Sequence, residues 1–420
     1  MARIQILGSG REVGRAAIAV KADGRILLMD YGTNFDEEDR PVFPAHVKPR
    51  DIEALVLTHS HLDHIGAAPS LYISVFPEVY ATPLTFDVSK LLLYDMIKLN
   101  GPHLPYDEAS VEDMLKTGKS LRYGEEVEKG PFTFKLLYNG HIPGSAAVWV
   151  EVDGHRILYT SDMNTIMTKL MNPADLAGVE ADTVIIESTY GSTTHPPREE
   201  TEKLFYESIL EVVKKGGTVL VPSFSVSRGQ EIMCLLAERD FEYPVWVDGM
   251  IRQVTELYLA HGEYVRDHKL MAKAASMFNM VRGWQDRRRA YKKPGVIIAS
   301  AGMLKGGPSL YYLKKMAGDD RNAVFMVSYQ ADGTPGRQIL ETGTYGPEEI
   351  PVKARVQWFD FSSHTDRNGI LRVLEGIRGL ERVILVHGDE ENQNDLRRAI
   401  EEVLDVEVQT PSNMEEISLD

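Results

Sequence analysis

The pattern of hydrophobic and polar positions differs between the first part of the chain and the part that follows it. Up to about residue 197, short apolar runs such as "RIQIL", "ALVLTH", "FTFKLLY" and "RILYTSD" are separated by turn residues. These runs predict β-strands, and Asp153-Gly154 between "AAVWVEV" and "RILYTSD" predicts a tight hairpin turn. From Arg198 onward, a helical spacing in "REETEKLFYESILEVVKKGG" is followed by a strand-like "TVLVPSF", and this alternation continues through "AVFMVSY". Such alternation predicts a parallel sheet wrapped by helices.

The last part of the chain again contains strand-like apolar runs, "ARVQWFDFSSH" and "RVILVHGD", followed by an amphipathic helix, "ENQNDLRRAIEEVL". We therefore predict an α/β fold in which a segment of alternating helices and strands, from about Arg198, lies between two strand-rich segments. A length of 420 residues allows two to three domains, or one domain with a large insertion.

Composition narrows the class of protein. Hydrophobic residues make up 43% and charged residues 26%, as expected for a globular chain. No stretch approaches ~18 uninterrupted apolar residues, and "MARIQILGSGREVG" lacks the apolar region of a signal peptide, so we expect no membrane span. The single cysteine, Cys234, cannot form an internal disulfide. We therefore expect a reducing cytoplasm, with any metal held by His and carboxylates.

The net charge says less about the class of protein than the composition does. The net charge of −16 governs solubility and non-specific association, but it does not prevent one face from being locally positive. The dense basic run "QDRRRAYKK" (Gln285–Lys293) is more typical of a solvated helix face than of a binding site. The glycines of "GSGREVG" do not match the dinucleotide-binding spacing, so this segment is interpreted as a tight turn.

A cluster of metal-ligand residues directly follows one predicted strand. In "LTHSHLDHIG", the residues His59, His61, Asp63 and His64 lie within six positions. An extended backbone projects His59 and His61 to one side, whereas Asp63 and His64 can turn toward a second centre. Two sets of nitrogen and oxygen ligands favour zinc over manganese or iron.

Four residues cannot complete two metal sites, so further ligands must come from elsewhere. The candidates are His141 in "LYNGHIPGSA", Asp162 in "ILYTSD" and His387 in "ILVHGD", each of which follows an apolar strand-like run. Together they supply one histidine for each metal and one carboxylate able to bridge both.

These blocks resemble a known family. "THSHLDH" is similar to the HxHxDH motif of the metallo-β-lactamase superfamily, and Asp30 of "LLMDYG", His141 and Asp162 stand at its other motif positions. "VIIESTYG" with Glu187 and "FDFSSHTD" with His364 resemble motifs A and B of the β-CASP nucleases, and "VHGD" resembles motif C. The resemblance extends over nearly the whole chain. It is strongest to compact prokaryotic homologues of the nuclease subunit of the cleavage and polyadenylation specificity factor.

The resemblance implies a fold and a role for each site residue. The fold would be a metallo-β-lactamase αββα sandwich, formed by residues 1–197 and 352–420, with an inserted β-CASP α/β domain at 198–351. Two zinc ions per chain would be held by two ligand sets that share a bridging Asp162: His59, His61 and His141 in one, and Asp63, His64 and His387 in the other. His364 would be the general acid, oriented by Glu187, and Asp30 would brace the histidine loop without binding metal.

The implied activity is zinc-dependent hydrolysis of single-stranded RNA, with RNA preferred over DNA because motif C contains His387. Arg228 and Arg337 would contact phosphates, and Tyr329 would stack on a base. Endonucleolytic and 5′→3′ exonucleolytic modes stay open, because both use the same metal site. A small-molecule ester or thioester hydrolase and a non-catalytic RNA-binding scaffold are the alternatives. A homodimer and association with other RNA-processing proteins are further hypotheses.

Small departures from the family pattern leave the ligand positions filled. Ser227 replaces a usual Gly, Thr365 stands where motif B often has Ala, and Asp389 stands where Glu is common. Only Ser227 bears on the expected substrate contacts, because it lies beside Arg228.

Overall fold

The computed structural model describes residues 2–419, and their contacts divide the chain into two compact units. The first unit comprises the described residues of Met1–Ile166, Asn172–Thr194 and Ser363–Asp420. The second comprises Met167–Met171 and His195–Ser362. Each unit has a sheet architecture of its own.

The described strands, in chain order, are β1 (Arg3–Gly8), β2 (Ala17–Ala22), β3 (Arg25–Met29), β4 (Asn34–Phe35), β5 (Pro41–Val42), β6 (Ile52–Val56), β7 (Glu78–Ala81), β8 (Gly118–Ser120), β9 (Glu126–Lys129), β10 (Phe132–Tyr138), β11 (Ala146–Val152), β12 (His155–Tyr159), β13 (Thr183–Glu187), β14 (Thr218–Pro222), β15 (Val245–Asp248), β16 (Asn279–Met280), β17 (Gly295–Ala299), β18 (Ala323–Met326), β19 (Thr344–Tyr345), β20 (Ile350–Pro351), β21 (Arg355–Trp358), β22 (Arg382–Val386), β23 (Glu407–Gln409) and β24 (Glu416–Ser418).

The described α-helices are α1 (Leu62–Ile65), α2 (Pro83–Asn100), α3 (Glu108–Lys116), α4 (Arg198–Lys214), α5 (Arg228–Glu238), α6 (Ile251–Ala260), α7 (His268–Met277), α8 (Trp284–Ala290), α9 (Gly307–Met316), α10 (Pro335–Thr342), α11 (Arg367–Gly376) and α12 (Glu390–Val403). Within the described part of the chain, none of them combines the length and apolar character that a membrane span requires.

The first unit is built on two seven-stranded sheets. Their strand orders are β24-β1-β2-β3-β6-β7-β8 and β23-β22-β13-β12-β11-β10-β9. A buried cluster takes side chains from both sheets, including Ile6 and Val56 from one and Phe134 and Ile185 from the other. Two further clusters cover the opposite faces, one with residues of α2 and α3 and the other with residues of α11 and α12. This arrangement confirms the predicted αββα sandwich.

Strand direction decides where the functional loops of the first unit emerge. In the first sheet, β3 and β6 are parallel, so their carboxyl ends lie at the same edge. In the second sheet, β12, β13 and β22 are parallel, and β10 runs in the same direction because two antiparallel pairings separate it from β12. The loops that follow these strands therefore leave from one edge of each sheet.

Local sequence signals explain individual elements. The predicted hairpin between β11 and β12 turns through Asp153 and Gly154, both with positive φ (51° and 78°) as a type I′ turn requires. Helix α12 begins after Asp389, whose carboxylate accepts the backbone N–H of Asn392 at 2.8 Å. Its buried face includes Leu396 and Ile400, spaced by one helical turn.

The second unit contains a six-stranded sheet in the order β16-β15-β17-β14-β18-β21. Every pairing in it is parallel, as the alternation of helices and strands predicts. The central strands β14, β17 and β18 are buried along their whole length. This is the pattern of a sheet covered by helices on both faces.

The boundaries of the second unit differ from those predicted at 197/198 and 351/352. In the structure they fall at 194/195 and 362/363. The later boundary is displaced because β21 pairs with β18 and so belongs to the second sheet. Met167–Met171 also belongs to this unit, where Glu231 accepts the backbone N–H groups of Lys169 and Leu170.

Candidate metal centre

The histidine cluster lies at the end of β6 in the first unit. The chain stays extended through His61 (φ −64°, ψ 145°), and the short helix α1 then presents Asp63 and His64. His59 and His64 are fully buried. The Nε2 atom of His59 lies 3.2 Å from Nδ1 of His61, so these two imidazoles face a common point.

Two groups of candidate ligands meet at one carboxylate. Within the described residues, potential ligand atoms fall within 4.8 Å of one another in three sets that share Asp162. Two sets contain the predicted ligands: His59, His61, His141 and Asp162, and Asp63, His64, Asp162 and His387; the third is Asp162, Glu187 and His364. The Oδ2 atom of Asp162 lies 3.5 Å from His59 Nε2, 3.3 Å from His64 Nε2 and 3.6 Å from His141 Nε2. The Oδ1 atom lies 3.4 Å from His387 Nδ1. The structure thus brings together all seven residues for which a ligand role is predicted.

The hydrogen bonding of this cluster fits a metal centre. Asp162 Oδ1 and His64 Nε2 are buried and find no hydrogen-bond partner among residues 2–419. Buried polar atoms are rarely left in this state, because losing water without replacement is costly. A cation between them would satisfy both atoms, and a set of imidazole nitrogens and carboxylate oxygens is one that zinc accepts.

Asp30 lies behind the cluster and fixes the orientation of His64. Its Oδ2 atom is 2.7 Å from Nδ1 of His64 and accepts hydrogen bonds from the hydroxyls of Thr58 (2.8 Å) and Tyr159 (3.1 Å). Its Oδ1 atom accepts the backbone N–H of Thr58 at 2.8 Å. A proton on Nδ1 of His64 is thereby directed to Asp30, which leaves the Nε2 lone pair facing Asp162. This is the geometry expected of the bracing role predicted for Asp30.

The remaining ligand candidates are oriented in a similar way. His141 Nδ1 lies 2.9 Å from the backbone oxygen of Ser363, so its Nε2 faces the cluster. Asn139 donates to the backbone oxygen of Asp162 at 2.7 Å and so ties the loop after β10 to the loop after β12. His387 Nε2 lies 3.3 Å from Asp63 Oδ2.

Burial and charge set the protonation of these groups. Burial lowers the pKa of His61 to about 4 and holds those of His59 and His141 well below their ordinary value. These three side chains are therefore neutral, the form that binds metal. Burial also acts to lower the pKa of His64, but the carboxylates of Asp162 and Asp30 outweigh it and raise the pKa. Positive charge beside Asp162, from a proton or a metal ion, is thus stabilised.

His364 and Glu187 form a pair beside Asp162. His364 Nδ1 lies 2.8 Å from Glu187 Oε2, and its Nε2 lies 4.0 Å from Asp162 Oδ2. Glu187 is held in place because it accepts the backbone N–H of Met163 at 2.6 Å and the hydroxyl of Thr189 at 2.7 Å. Burial would lower the pKa of His364, but the Glu187 and Asp162 carboxylates raise it to about 9. His364 can therefore hold a proton at neutral pH.

The predicted substrate contacts lie in the second unit, and their role stays a prediction. Arg228 is the first residue of α5 and is buried. Arg337 pairs with Glu341 at 2.5 Å, which gives it a local structural partner. Tyr329 is 58% exposed, so its ring is not part of the core.

Sequence reasoning did not identify the residues that support the centre. Thr58, Asn139 and Tyr159 orient other side chains or backbone and have no metal-ligand character of their own. Their one sequence signal is a polar or aromatic side chain near a strand end that precedes a candidate ligand. Positive φ angles at Asp30 (59°) and His387 (52°) mark strained positions that only the folded structure shows.

Fold and site together define a metallo-hydrolase: an αββα sandwich whose strand-end loops converge on two sets of nitrogen and oxygen ligands. The protein families that match this chain support the same class of protein. Residues 11–223 match the metallo-beta-lactamase superfamily, residues 229–339 match the Beta-Casp domain, and residues 349–411 match the Zn-dependent metallo-hydrolase RNA specificity domain. The chain belongs to the metallo-β-lactamase superfamily, within its β-CASP branch.

Curated relatives are similar over almost the entire chain. "RNase aCSPSF2" of Saccharolobus solfataricus is 47% identical over 99% of this chain and 85% of its own length. "Probable RNase MJ4" of Methanocaldococcus jannaschii is 33% identical, covering 93% of this chain and 94% of its own. "Transcription termination factor FttA" of Pyrococcus horikoshii is 35% identical over 99% of this chain and 71% of its own length.

A solved structure supports the fold alone. It is a protein of unknown function from Enterococcus faecalis, 13% identical, with a TM-score of 0.61 and coverage of 99% of both chains.

Proposed function

We propose that the chain is a zinc-dependent ribonuclease that hydrolyses phosphodiester bonds of single-stranded RNA. The observation on which this rests is the convergence of six ligand side chains on Asp162, with the His364–Glu187 pair beside it. Two relatives whose names describe them as RNases, together with the RNA specificity domain match, support RNA as the substrate class.

We assign the cofactor as two Zn²⁺ ions. His59, His61 and His141 would hold one and Asp63, His64 and His387 the other, with Asp162 shared. Zinc in such a centre supplies activated water and positive charge beside the scissile phosphate. Cys234, the one cysteine of the sequence, is not a member of these ligand sets.

The chain's own residues supply the proton for the leaving group. His364 is protonated at neutral pH because its pKa is raised to about 9. Its Nδ1 is held by Glu187, so the Nε2 proton is the one available for donation. Cleavage requires a proton on the departing 3′ oxygen, and we assign its transfer to His364 Nε2. Glu187 is the positioning residue of this pair.

Site variants test the assignment. We expect Asp162→Ala and His64→Ala to abolish cleavage of single-stranded RNA, because each removes a ligand from the centre. The matched control is His103→Ala, since His103 is exposed and lies outside the cluster. Full RNase activity in either cluster variant, with zinc content and thermal stability checked, would contradict the assignment.

The mode of cleavage needs a separate experiment. A time course on 5′-labelled, 3′-labelled and circular single-stranded RNA distinguishes the two modes. Cleavage of the circle requires an endonuclease, whereas release of the 5′ label as mononucleotide indicates a 5′→3′ exonuclease. Homodimerisation, association with other RNA-processing proteins and a cytoplasmic location stay predictions.

A role in transcription termination is a second candidate. It is favoured by 35% identity over 99% of this chain to a relative named as a termination factor. Release of nascent RNA from a purified elongation complex, lost in Asp162→Ala, is the expected result. If protein with RNase activity releases no nascent RNA from the complex, the termination role is excluded.

A further inference from the structure

The second unit contains a region of concentrated positive charge. Between Arg282 and Lys315, the sequence has nine Lys or Arg residues and a single acid, Asp286, in a chain whose net charge is −16. The basic run interpreted from sequence as a solvated helix face lies within this region. The metal centre uses none of these residues.

Three aromatic rings lie together in the same region. Trp284, the first residue of α8, is 60% exposed. Its ring centroid lies 5.6 Å from that of Tyr311 on α9, and Tyr291 lies 6.4 Å from Tyr311. The neighbouring rings pack edge-to-face, with interplanar angles of 74° and 65°. Trp284 is exposed and both tyrosines are partly exposed, so the cluster leaves apolar ring surface in contact with water, as binding sites do.

Cations border these rings. The Lys292 ammonium lies 5.0 Å from the centroid of the Tyr291 ring, and the Lys315 ammonium lies 5.9 Å from that of Tyr311. Both lysines are exposed. Each of these two tyrosine rings therefore has a lysine ammonium beside it, at the distance of a cation–π contact.

The surface is held in place from beneath. Arg287 makes two hydrogen bonds of 2.7 Å to the buried carboxylate of Asp248, which also accepts the Tyr312 hydroxyl at 2.8 Å. The Arg287 guanidinium in turn lies 5.0 Å from the centroid of the Trp284 ring. The short helix α8 is therefore anchored to β15 and α9, so that binding would require little ordering of Trp284.

We propose that Trp284, Tyr291 and Tyr311, with Lys292 and Lys315, form an RNA-holding surface for single-stranded RNA. Bases would stack on the rings while the lysines neutralise phosphates. Stacking tolerates any base, and the local positive charge complements a polyanion. The proposal deepens the ribonuclease function, on which it rests for the identity of the ligand.

The test is the affinity of the full chain for RNA, measured by fluorescence anisotropy in an Asp162→Ala background so that the RNA survives. Trp284→Ala should weaken binding of a single strand of about 20 nucleotides by about tenfold, as expected for the loss of one base–aromatic stack. Trp284→Phe should restore most of the affinity. Trp358→Ala is the matched control, since Trp358 is a 44% exposed tryptophan in the same unit.

A second pair of variants separates charge from stacking. Affinity for RNA falls as the salt concentration rises. The double variant Lys292→Ala with Lys315→Ala should make the slope of log affinity against log salt concentration less negative by about 1.4. Lys214→Ala with Lys215→Ala removes the same charge from exposed positions at the end of α4 and should change the slope by less than half as much. Thermal unfolding of each variant verifies that the fold is retained.

The outcomes are distinct from those that test the metal centre. Unchanged affinity in Trp284→Ala, or an equal loss on duplex RNA, would overturn the proposal while leaving the ribonuclease assignment intact. Conversely, absence of RNA cleavage by zinc-loaded wild-type protein would refute the ribonuclease assignment, yet a tenfold effect of Trp284→Ala on binding would still support the surface.

Discussion

The substitution Asp30→Asn tests how far residues outside the ligand set control the metal centre. Asp30 is fully buried and accepts four hydrogen bonds, one of them from the imidazole of His64. An amide has the same shape as the carboxylate but replaces one acceptor oxygen with a donor. Whichever way the amide is oriented, one of the present contacts becomes a contact between two donors.

Both orientations harm the site. With the amide nitrogen in the place of Oδ2, His64 must move its proton to Nε2, the atom that faces Asp162. With the amide reversed, the nitrogen meets the backbone N–H of Thr58, one residue before His59. Loss of such a supporting contact costs 10–100-fold in metal affinity, which is about 1.4–2.8 kcal/mol.

The assay is competition for zinc between the protein and a chromogenic chelator at neutral pH. Tyr159→Phe is the control, because it removes one 3.1 Å hydrogen bond to Asp30 and leaves the contact with His64 intact. We expect a change of less than about threefold in this control. Zinc affinity of Asp30→Asn within about threefold of wild type would refute the reasoning, provided that thermal unfolding shows a native fold.

Three further perturbations give separate checks. Chelation of the metal should lower the midpoint of thermal unfolding and zinc should restore it, because ligand binding to the native state adds stability; an unchanged midpoint would contradict a bound metal. Glu187→Gln should move the basic limb of the pH–rate profile to lower pH, because the carboxylate that raises the pKa of His364 to about 9 is lost and the general acid deprotonates earlier; an unmoved limb would exclude this role. Glu231→Ala should cost about 1.5–3 kcal/mol of unfolding free energy in urea titrations, since it removes the carboxylate that lies 2.7 Å from Arg198 and leaves Arg198 with Glu202 as its remaining ion-pair partner. The control Glu238→Ala removes a more exposed carboxylate and should cost under about 1 kcal/mol; equal losses would argue against the buried pair.

The sequence predicted the parts of the fold that local patterns determine. His59, His141, Asp162 and His387 each follow an apolar run, and each lies just beyond the strand predicted for it. Their convergence could be inferred because ligand chemistry requires a complete set and the motif spacing supplied one. The ligand roles themselves stay predictions until the site variants are measured.

Pairing between distant segments was beyond the reach of local patterns. The run "ARVQWFDF" predicts a strand, but its alternation is the same whether its partner is β18 or a strand of the other unit. Likewise, nothing in Met167–Met171 indicates that its backbone N–H groups bind Glu231, because every non-proline residue offers the same donor. Such contacts depend on the three-dimensional arrangement of acceptors.

The positions of strained backbone connect the fold to the chemistry. Asp30, Ser161 and His387 all have positive φ (59°, 51° and 52°), and each lies within two residues of the end of a strand. An ordinary extended exit would continue the side-chain alternation of the strand and point every second residue into the core. A left-handed residue at the exit turns the chain sharply, so that polar side chains of Asp30, Asp162 and His387 leave the sheet at the shared edge. The cost of order 1–3 kcal/mol at each position is tolerated because the sheets on either side fix the backbone. The metal centre is therefore built by the ends of the two sheets.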